Sequence, residues 1–228
     1  MGVGAVGVHQ VHWHEVGPFG SDGETGTGDL VVATAREMAK AKRRQEILSA
    51  AATIMAAKGF HQTRLGDVGA AVGISGPGLY RHFDSKEALL ADILTEISIR
   101  LVDGARDAFL RNELTAESDP EAVLNELIAM HVEVAVTEAD LIRVQGREIE
   151  NLEESVREKV KSLQRTYLGL WADALQRARP DLDRATARIR VQLVAGLVNS
   201  ARYVLHWADL EELRKDVTKM ARCALFVE

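Results

Sequence analysis

From Met38 onward, the apolar residues of this chain recur every three or four positions, and this spacing limits its fold more than any other feature. It places apolar side chains along one face of an α-helix, whereas a half-buried β-strand would alternate apolar and polar residues. No alternating run of useful length occurs, and the abundant Ala, Leu, Glu and Arg favour helix. The sequence therefore predicts an all-α protein. The first apolar stripe consists of Ile47, Leu48, Ala51, Ile54 and Met55.

Glycines and prolines divide the helical pattern into segments. Gly59 follows the first helix, Gly73 separates the second from the third, and Asp119-Pro120 and Pro180-Asp181 interrupt the rest. We expect about nine helices, with Thr63 capping the second, Ser75 capping a short third, and Ser85 beginning a fourth that ends near Leu110. The remaining helices are predicted at about 120–137, 139–146, 151–179, 183–207 and 210–226. The chain then divides into a three-helix head at 38–86 and a larger helical body at 87–228.

Residues 1–37 show neither the helical spacing of apolar residues nor the alternation of a β-strand, and they are rich in Gly and Val. We therefore expect a disordered N-terminal extension outside the fold. They also lack the basic and then apolar pattern of a signal peptide. We expect the native start of the protein near Val31 or Met38. His9, His12 and His14 lie in this extension, but no Cys or carboxylate stands at ligand spacing, so the sequence predicts no metal site.

The charge of the chain is unevenly distributed. Residues 36–87 contain nine Lys/Arg and five Asp/Glu, although the whole chain has a net charge of −6. A basic segment of this size can bind phosphates, while an acidic remainder is repelled by nucleic acid. The distribution favours a head that contacts DNA and a body that is held away from it.

Several classes of protein are disfavoured by what the sequence lacks. A single cysteine, Cys223, excludes an intramolecular disulfide and a multi-cysteine zinc site, and it suits the reducing cytoplasm, where we expect the protein to lie. No apolar run is long enough to span a membrane. No Walker loop, Gly-x-Ser-x-Gly or His-Glu-x-x-His motif occurs, so we expect neither enzyme activity nor a cofactor.

Three short helices with a glycine break between the second and the third describe a helix-turn-helix, in which the third helix enters the major groove of DNA. The residues at the groove-facing end of that helix must be small so that its backbone can approach the bases. Ser75, Gly76 and Gly78 meet this need.

The same segment resembles the signature of the TetR family of transcriptional regulators over about residues 40–90. The resemblance lies in Val72-Gly73-Ile74-Ser75 and in the run from Leu79 through Tyr80-Arg81-His82-Phe83-Asp84-Ser85-Lys86 to Leu89, each at the offset that the family has. The family usually has Ala where this chain has Gly69 and Val72. Glycines at positions 66 and 69 lower the helix propensity of the second helix.

The resemblance implies DNA contacts for particular residues. Thr63 and Tyr80 would contact phosphates through their hydroxyls, His82 through its imidazole and Lys86 through its ammonium group. Arg64, Ser75, Gly76, Pro77 and Arg81 are the candidates for contacts to base edges, with Gly78 beside them. Lys42, Arg43 and Arg44 of the first helix either contact phosphate or form a solvated face. Tyr80 has the alternative role of a core residue, and His82 that of a surface residue.

The resemblance also implies a homodimer built on the last two helices and a near-palindromic operator with half-sites about 34–36 Å apart. The predicted interface consists of Ile189, Leu193, Gly196, Leu197, Ser200, Val204, Val217 and Met220. The alternative for these residues is an ordinary internal core.

A ligand pocket among helices four to eight follows from the same resemblance. Polar residues on apolar stretches are the candidates for ligand contacts, because a buried polar group without a partner is costly, although each could instead pair internally or face solvent. They are His131, Arg143, Arg147, Tyr167, Trp171, Asn199, Arg202 and Tyr203. The head resembles that of family members linked to acyl-CoA or branched-chain catabolism, which suggests an acyl-CoA effector.

The predicted function is a DNA-binding repressor that a small molecule releases. Activation instead of repression stays open, since the sequence does not encode the sign of control. The alternative from another class is a helical adaptor that binds proteins without DNA. That alternative accounts for the acidic body but not for the signature over residues 63–89.

Overall fold

The computed structural model describes residues 35–113 and 119–227, and all regular structure within these ranges is helical. The predicted extension at 1–37 lies outside the described residues except for positions 35–37, which belong to the first helix. The α-helices are α1 Ala35–Lys58, α2 Leu65–Ala71, α3 Gly76–Leu79, α4 Lys86–Glu113, α5 Ala122–Thr137, α6 Ala139–Glu148, α7 Glu154–Ala178, α8 Arg184–Asn199 and α9 Leu210–Phe226. Short 3₁₀ turns follow α6 at Ile149–Asn151 and α8 at Ser200–Tyr203.

The all-α prediction is confirmed, and most predicted helices begin and end within three residues of the observed bounds. Helix α8 is the exception, because it ends at Asn199 and not near residue 207. The Ser200 hydroxyl donates to the Leu197 carbonyl at 2.6 Å, and the Arg202 guanidinium donates to the Asn199 carbonyl at 2.8 Å. Side chains thus satisfy the carbonyls that a continuing helix would use. No Gly or Pro marks this end in the sequence.

The head is α1 to α3 with the first part of α4, packed around one apolar core. Ile47 and Met55 of α1, Val68 of α2 and Leu79 of α3 are all completely buried in it. The core extends into the body through Val144 of α6, so the two parts of the molecule share packing.

The body is formed by α4 to α9 around a second core that includes Trp171, Leu127 and Val191. Helix α4 belongs to both cores: its residues 89–94 pack in the head and its residues 97–108 pack in the body. A movement of α4 or α6 therefore changes the packing of both the head and the body.

Candidate DNA-binding surface and ligand cavity

The turn between α2 and α3 has the tight geometry that the glycine break predicted. Gly73 adopts a φ of 69°, a left-handed conformation that strongly favours glycine. The Ile74 amide then donates to the Gly69 carbonyl at 2.9 Å. At the start of α3, the Ser75 hydroxyl accepts from the Gly78 amide at 3.3 Å, which confirms Ser75 as the cap. The turn fixes α3 against α2 with one side facing solvent.

The exposed side of α3 carries most of the predicted base-contacting residues. Tyr80 is 58% exposed although its neighbours Leu79 and Phe83 are buried, so the alternative that Tyr80 belongs to the core is wrong. Ser75, Pro77 and Arg81 are exposed, and Gly78 is partly exposed. Gly76 begins α3 itself. This side of the head has the polar groups and the small residues that approach to a groove requires.

Cationic groups border the same surface at the starts of α2 and α4. Arg64, the residue before α2, is exposed. Lys86 is the first residue of α4, and its ammonium lies 4.3 Å from the Phe60 ring centroid and 3.3 Å from the His61 carbonyl oxygen. His82, in the turn after α3, is half-buried. The Ala88 amide at the start of α4 donates to Ser85 Oγ at 3.0 Å.

The structure contradicts the predicted roles of Thr63. Its side chain is 2% exposed, and its hydroxyl donates to the Gly59 carbonyl at 2.8 Å, so its proton is not free for a phosphate. Helix α2 also has no side-chain cap from Thr63, since the capping position is Arg64. Gly59 has a φ of 83° and ends α1, and the hydroxyl bond stabilises the loop that follows.

Two of the three cations predicted on α1 instead hold the head together. The Arg43 guanidinium donates to the Val72 carbonyl at the end of α2 at 2.6 Å. Arg44 pairs with Asp92 and Glu96 of α4 at 2.8 Å and 3.1 Å. These bonds join α1 to α2 and to α4, while both side chains stay about one-third exposed, so a phosphate contact by either guanidinium remains a prediction. Lys42 is exposed, as a phosphate contact or a solvated face requires.

A cavity of about 440 Å³ lies in the body, lined by α4 to α8 and both 3₁₀ turns. The predicted ligand residues that line it are His131, Tyr167, Asn199 and Arg202. The lining also includes polar residues that were not among the predicted ligand contacts, such as Lys161, Gln164 and Gln192. Lys161 and Gln164 lie on α7 at intervals of three residues before Tyr167, and this spacing could have identified them as one face.

The other four predicted ligand residues are not in the lining. Arg147 and Tyr203 point to solvent, and Arg143 is partly exposed on α6. Tyr203 is 64% exposed and its hydroxyl accepts from Arg202 at 2.7 Å. Trp171 is completely buried behind the lining. The prediction failed for these residues because helix periodicity does not determine which face of α6 or which turn after α8 meets the cavity.

Buried polar groups form a cluster at the inner wall of the cavity. His131 Nδ1 lies 3.1 Å from the Tyr167 hydroxyl, and the Trp171 ring packs edge-on against both. Burial lowers the pKa of His131 from 6.5 to about 4, with the neighbouring Asn199 side chain opposing this, so the imidazole is neutral at pH 7. Burial also raises the pKa of Tyr167 far above its ordinary value. The cluster is therefore uncharged at physiological pH.

Comparison with known proteins identifies both parts of the molecule. Residues 47–93 match the family model for bacterial regulatory proteins of the tetR family, and residues 117–208 match that for the tetracyclin repressor-like C-terminal domain. The chain belongs to the TetR family of transcriptional regulators. The head is the family's DNA-binding helix-turn-helix domain, and helices α5 to α8 fall within the family's C-terminal domain.

Comparisons with individual relatives support the same family assignment. It is 28% identical over 138 residues to the HTH-type transcriptional repressor KstR2 of Rhodococcus jostii, a match that covers 60% of this chain and 65% of the repressor. A TetR-family regulator from Bordetella parapertussis superposes with a TM-score of 0.68 at 26% identity, covering 80% of this chain and 94% of that one. Bacillus subtilis FadR, solved in complex with stearoyl-CoA, has a TM-score of 0.59 at 18% identity over 78% of this chain and 96% of its own, which shows the shared fold.

The TetR-family body leaves one face of α8 uncovered. Ile189 and Leu193 are 61% and 69% exposed, and Gly196 and Ser200 lie on the same stripe. Met220 of α9 is 50% exposed. These five residues were predicted to form a dimer interface, and their exposure leaves them available for one.

The remaining predicted interface residues pack within the protomer. Val217 is 4% exposed and belongs to the body core, so its assignment to the interface is wrong. Leu197 and Val204 are partly buried against that core. The apolar spacing on α9 was interpreted as one stripe, but it contains a core face with Val217 and a flank with Met220.

The described residues contain neither a cluster of metal ligands nor a helix that could span a membrane. No group of three or more His, Cys, Asp or Glu is placed to hold a metal ion within residues 35–113 and 119–227. In the same ranges, no helix is both long and apolar enough to cross a membrane. His9, His12 and His14 lie outside the described residues.

Proposed function

We propose that this chain is a repressor that binds a near-palindromic operator as a homodimer and that a small anionic molecule, of the acyl-CoA class, releases it from DNA. The observation that carries the proposal is the outer side of α3 and of the turn that follows it, where Tyr80 is 58% exposed although Leu79 and Phe83 are buried. An exposed tyrosine beside Arg81 offers a hydroxyl and a cation to a phosphate and a base edge. Family membership supports the same conclusion.

The anionic class of effector is supported by the lining of the cavity. Lys161 and Arg202 line it, and no Asp or Glu is among the lining residues. Lys161 also pairs with Glu150 outside the lining at 3.2 Å, so Arg202 contributes most to the positive charge of the wall. Such a wall favours a negatively charged ligand. A volume of about 440 Å³ is in the lower part of the range for ligand pockets and would hold the acyl part of a thioester with the nucleotide outside. Stearoyl-CoA is bound by FadR, which has the same fold.

The junction between head and body supports a mechanism for release. Ser98 and Leu101 of α4 line the cavity, while residues 89–94 of the same helix pack in the head core. On α6, Ile142 lines the cavity and Val144 packs in the head core. A ligand that favours a different position of these helices would move the two heads off the spacing of one DNA turn. The ligand can shift this equilibrium only by its differential affinity for the two states.

The test is a gel shift of the full chain on its own upstream DNA, with and without a panel of acyl-CoA thioesters. We expect Tyr80→Phe to weaken operator binding by about 10- to 140-fold per protomer, because one hydrogen bond to a charged group contributes about 1.5–3 kcal/mol. The matched control is Tyr203→Phe, which removes an equally exposed hydroxyl from the body and should leave operator binding unchanged.

The outcomes separate the parts of the proposal. A shift that one thioester releases supports both the repressor and its class of effector. A shift that no thioester releases contradicts the class of effector alone. No shift at low salt, on this DNA or on genomic fragments, contradicts the repressor and favours the helical adaptor.

A further inference from the structure

The inner wall of the cavity contains buried polar atoms that have no hydrogen-bond partner within the described residues. They are the Nε2 atom of His131 and the Oδ1 atom of Asn199, two side chains that lie next to each other at this wall. His131 is 4% exposed, and both residues line the cavity. A buried donor or acceptor without a partner costs about 1–3 kcal/mol. A ligand that forms hydrogen bonds with these atoms should therefore bind more tightly than one that does not.

The pairing within the cluster determines what Nε2 requires. His131 Nδ1 and the Tyr167 hydroxyl lie 3.1 Å apart and share one proton between them. If Tyr167 donates, the neutral imidazole carries its proton on Nε2 and can donate into the cavity. If Nδ1 donates, Nε2 can only accept. A hydroxyl group on a ligand satisfies either arrangement, and a keto group satisfies the first.

The charge of the cavity is divided between its walls. Lys161 and Arg202 are partly exposed and are the only cations in its lining, whereas His131 and Asn199 are neutral. A carboxylate or phosphate brought against the neutral inner wall would lose its hydration without gaining a countercharge. The inner wall therefore favours an uncharged polar group.

Building on the proposed function, we infer that His131 and Asn199 recognise a hydroxyl group on the apolar part of the effector, which accepts from the Nε2–H of His131 and donates to Oδ1 of Asn199. The effector is then a hydroxylated acyl compound and not a plain saturated one. A saturated chain offers no hydrogen bond to Nε2 or Oδ1 and a keto group can satisfy Nε2 alone, whereas a hydroxyl group satisfies both. Sites that hydrogen-bond a ligand oxygen reject the analogue lacking it far better than apolar pockets reject an added methylene.

The probes are straight-chain carboxylates of six to twelve carbons in matched triplets, unsubstituted, hydroxylated and keto at the penultimate carbon. Binding to the full chain is measured by calorimetry. At one chain length or more, we expect the hydroxyl member to bind at least tenfold more tightly than the unsubstituted acid, with the keto member between the two. Equal binding within every triplet, or binding of no compound, overturns the inference.

Two variants assign the preference to these residues. His131→Phe and Asn199→Leu should each reduce the preference to less than about threefold, and measuring both covers the case in which one fails to fold. The matched control His206→Phe replaces an exposed imidazole outside the lining and should keep the preference. A preference that persists in both folded cavity variants overturns the inference.

A gel shift of the wild-type chain on its upstream DNA separates this result from the proposed function. Loss of the ligand preference with operator binding intact refutes only the role of His131 and Asn199. A ligand preference without operator binding refutes only the repressor.

Discussion

The exposed face of α8 allows the proposed dimer to be tested with a single charge at Leu193, which is 69% exposed in the protomer. Complete burial of a leucine side chain stabilises by about 1.5–3 kcal/mol. Burying the exposed part of Leu193 against a partner therefore contributes about 1–2 kcal/mol per protomer. A two-fold interface contains the residue twice, so the total is about 2–4 kcal/mol per dimer.

The substitution Leu193→Arg removes this contribution and adds the cost of bringing a guanidinium into an apolar interface. At 1.4 kcal/mol for each factor of ten, the lost burial alone weakens the dimer Kd by about 30- to 700-fold. Sedimentation equilibrium over a series of protein concentrations measures this constant directly. Operator binding should weaken in parallel, because a monomer places only one recognition helix on the DNA.

A matched substitution tests whether the position or the charge causes the effect. Leu110→Arg introduces the same side chain at a leucine of α4 that is 58% exposed. We expect it to leave the dimer Kd within about threefold of the wild type. If Leu193→Arg also leaves the Kd unchanged, or if both variants weaken it equally, α8 is not the pairing face.

Three further predictions concern the head and the cavity. Gly66→Ala should raise the Tm by about 2–4 °C in thermal unfolding, because nothing lies within 4 Å of the added Cβ and alanine exceeds glycine in helix propensity by about 1 kcal/mol; a lower Tm would contradict the open space found there. Lys86→Ala should reduce the slope of log Kd for the operator against log salt by about 1.8 per dimer, one phosphate for each protomer, whereas Lys215→Ala, on an exposed body lysine, should leave the slope unchanged. The pKa of His131 falls from 6.5 to about 4 on folding, so the free energy of unfolding should decrease by up to about 3 kcal/mol as the pH falls from about 6.5 to 4. In denaturant titrations, this part of the decrease should be absent from His131→Phe and present in His206→Phe.

Local sequence signals were enough to predict the head. Gly59 and Gly73 both adopt positive φ, and Ser75 caps α3, because the conformation of a turn depends on the few residues within it. The family signature occupies the same contiguous segment. The all-α fold and the bounds of most helices followed from spacing alone, since that spacing is a property of each helix by itself.

The roles of polar side chains in the head were not predictable in the same way. Arg44 lies 48 and 52 residues before its partners Asp92 and Glu96 in the chain, so the sequence could not separate an ion pair from a phosphate contact. The family resemblance implied a DNA contact for Thr63, but its hydroxyl donates to the Gly59 carbonyl.

In the body, the sequence by itself determined that helices with apolar faces would form, and the tertiary structure decided which face meets which neighbour. Val217 and Met220 lie one turn apart on α9, yet one is in the core and the other is half exposed. Likewise, Lys161 lines the cavity and Arg147 does not. The physical reason is that periodicity fixes the angle between residues on one helix, whereas burial depends on the rotation of that helix against the others, which only the packing of the whole core determines.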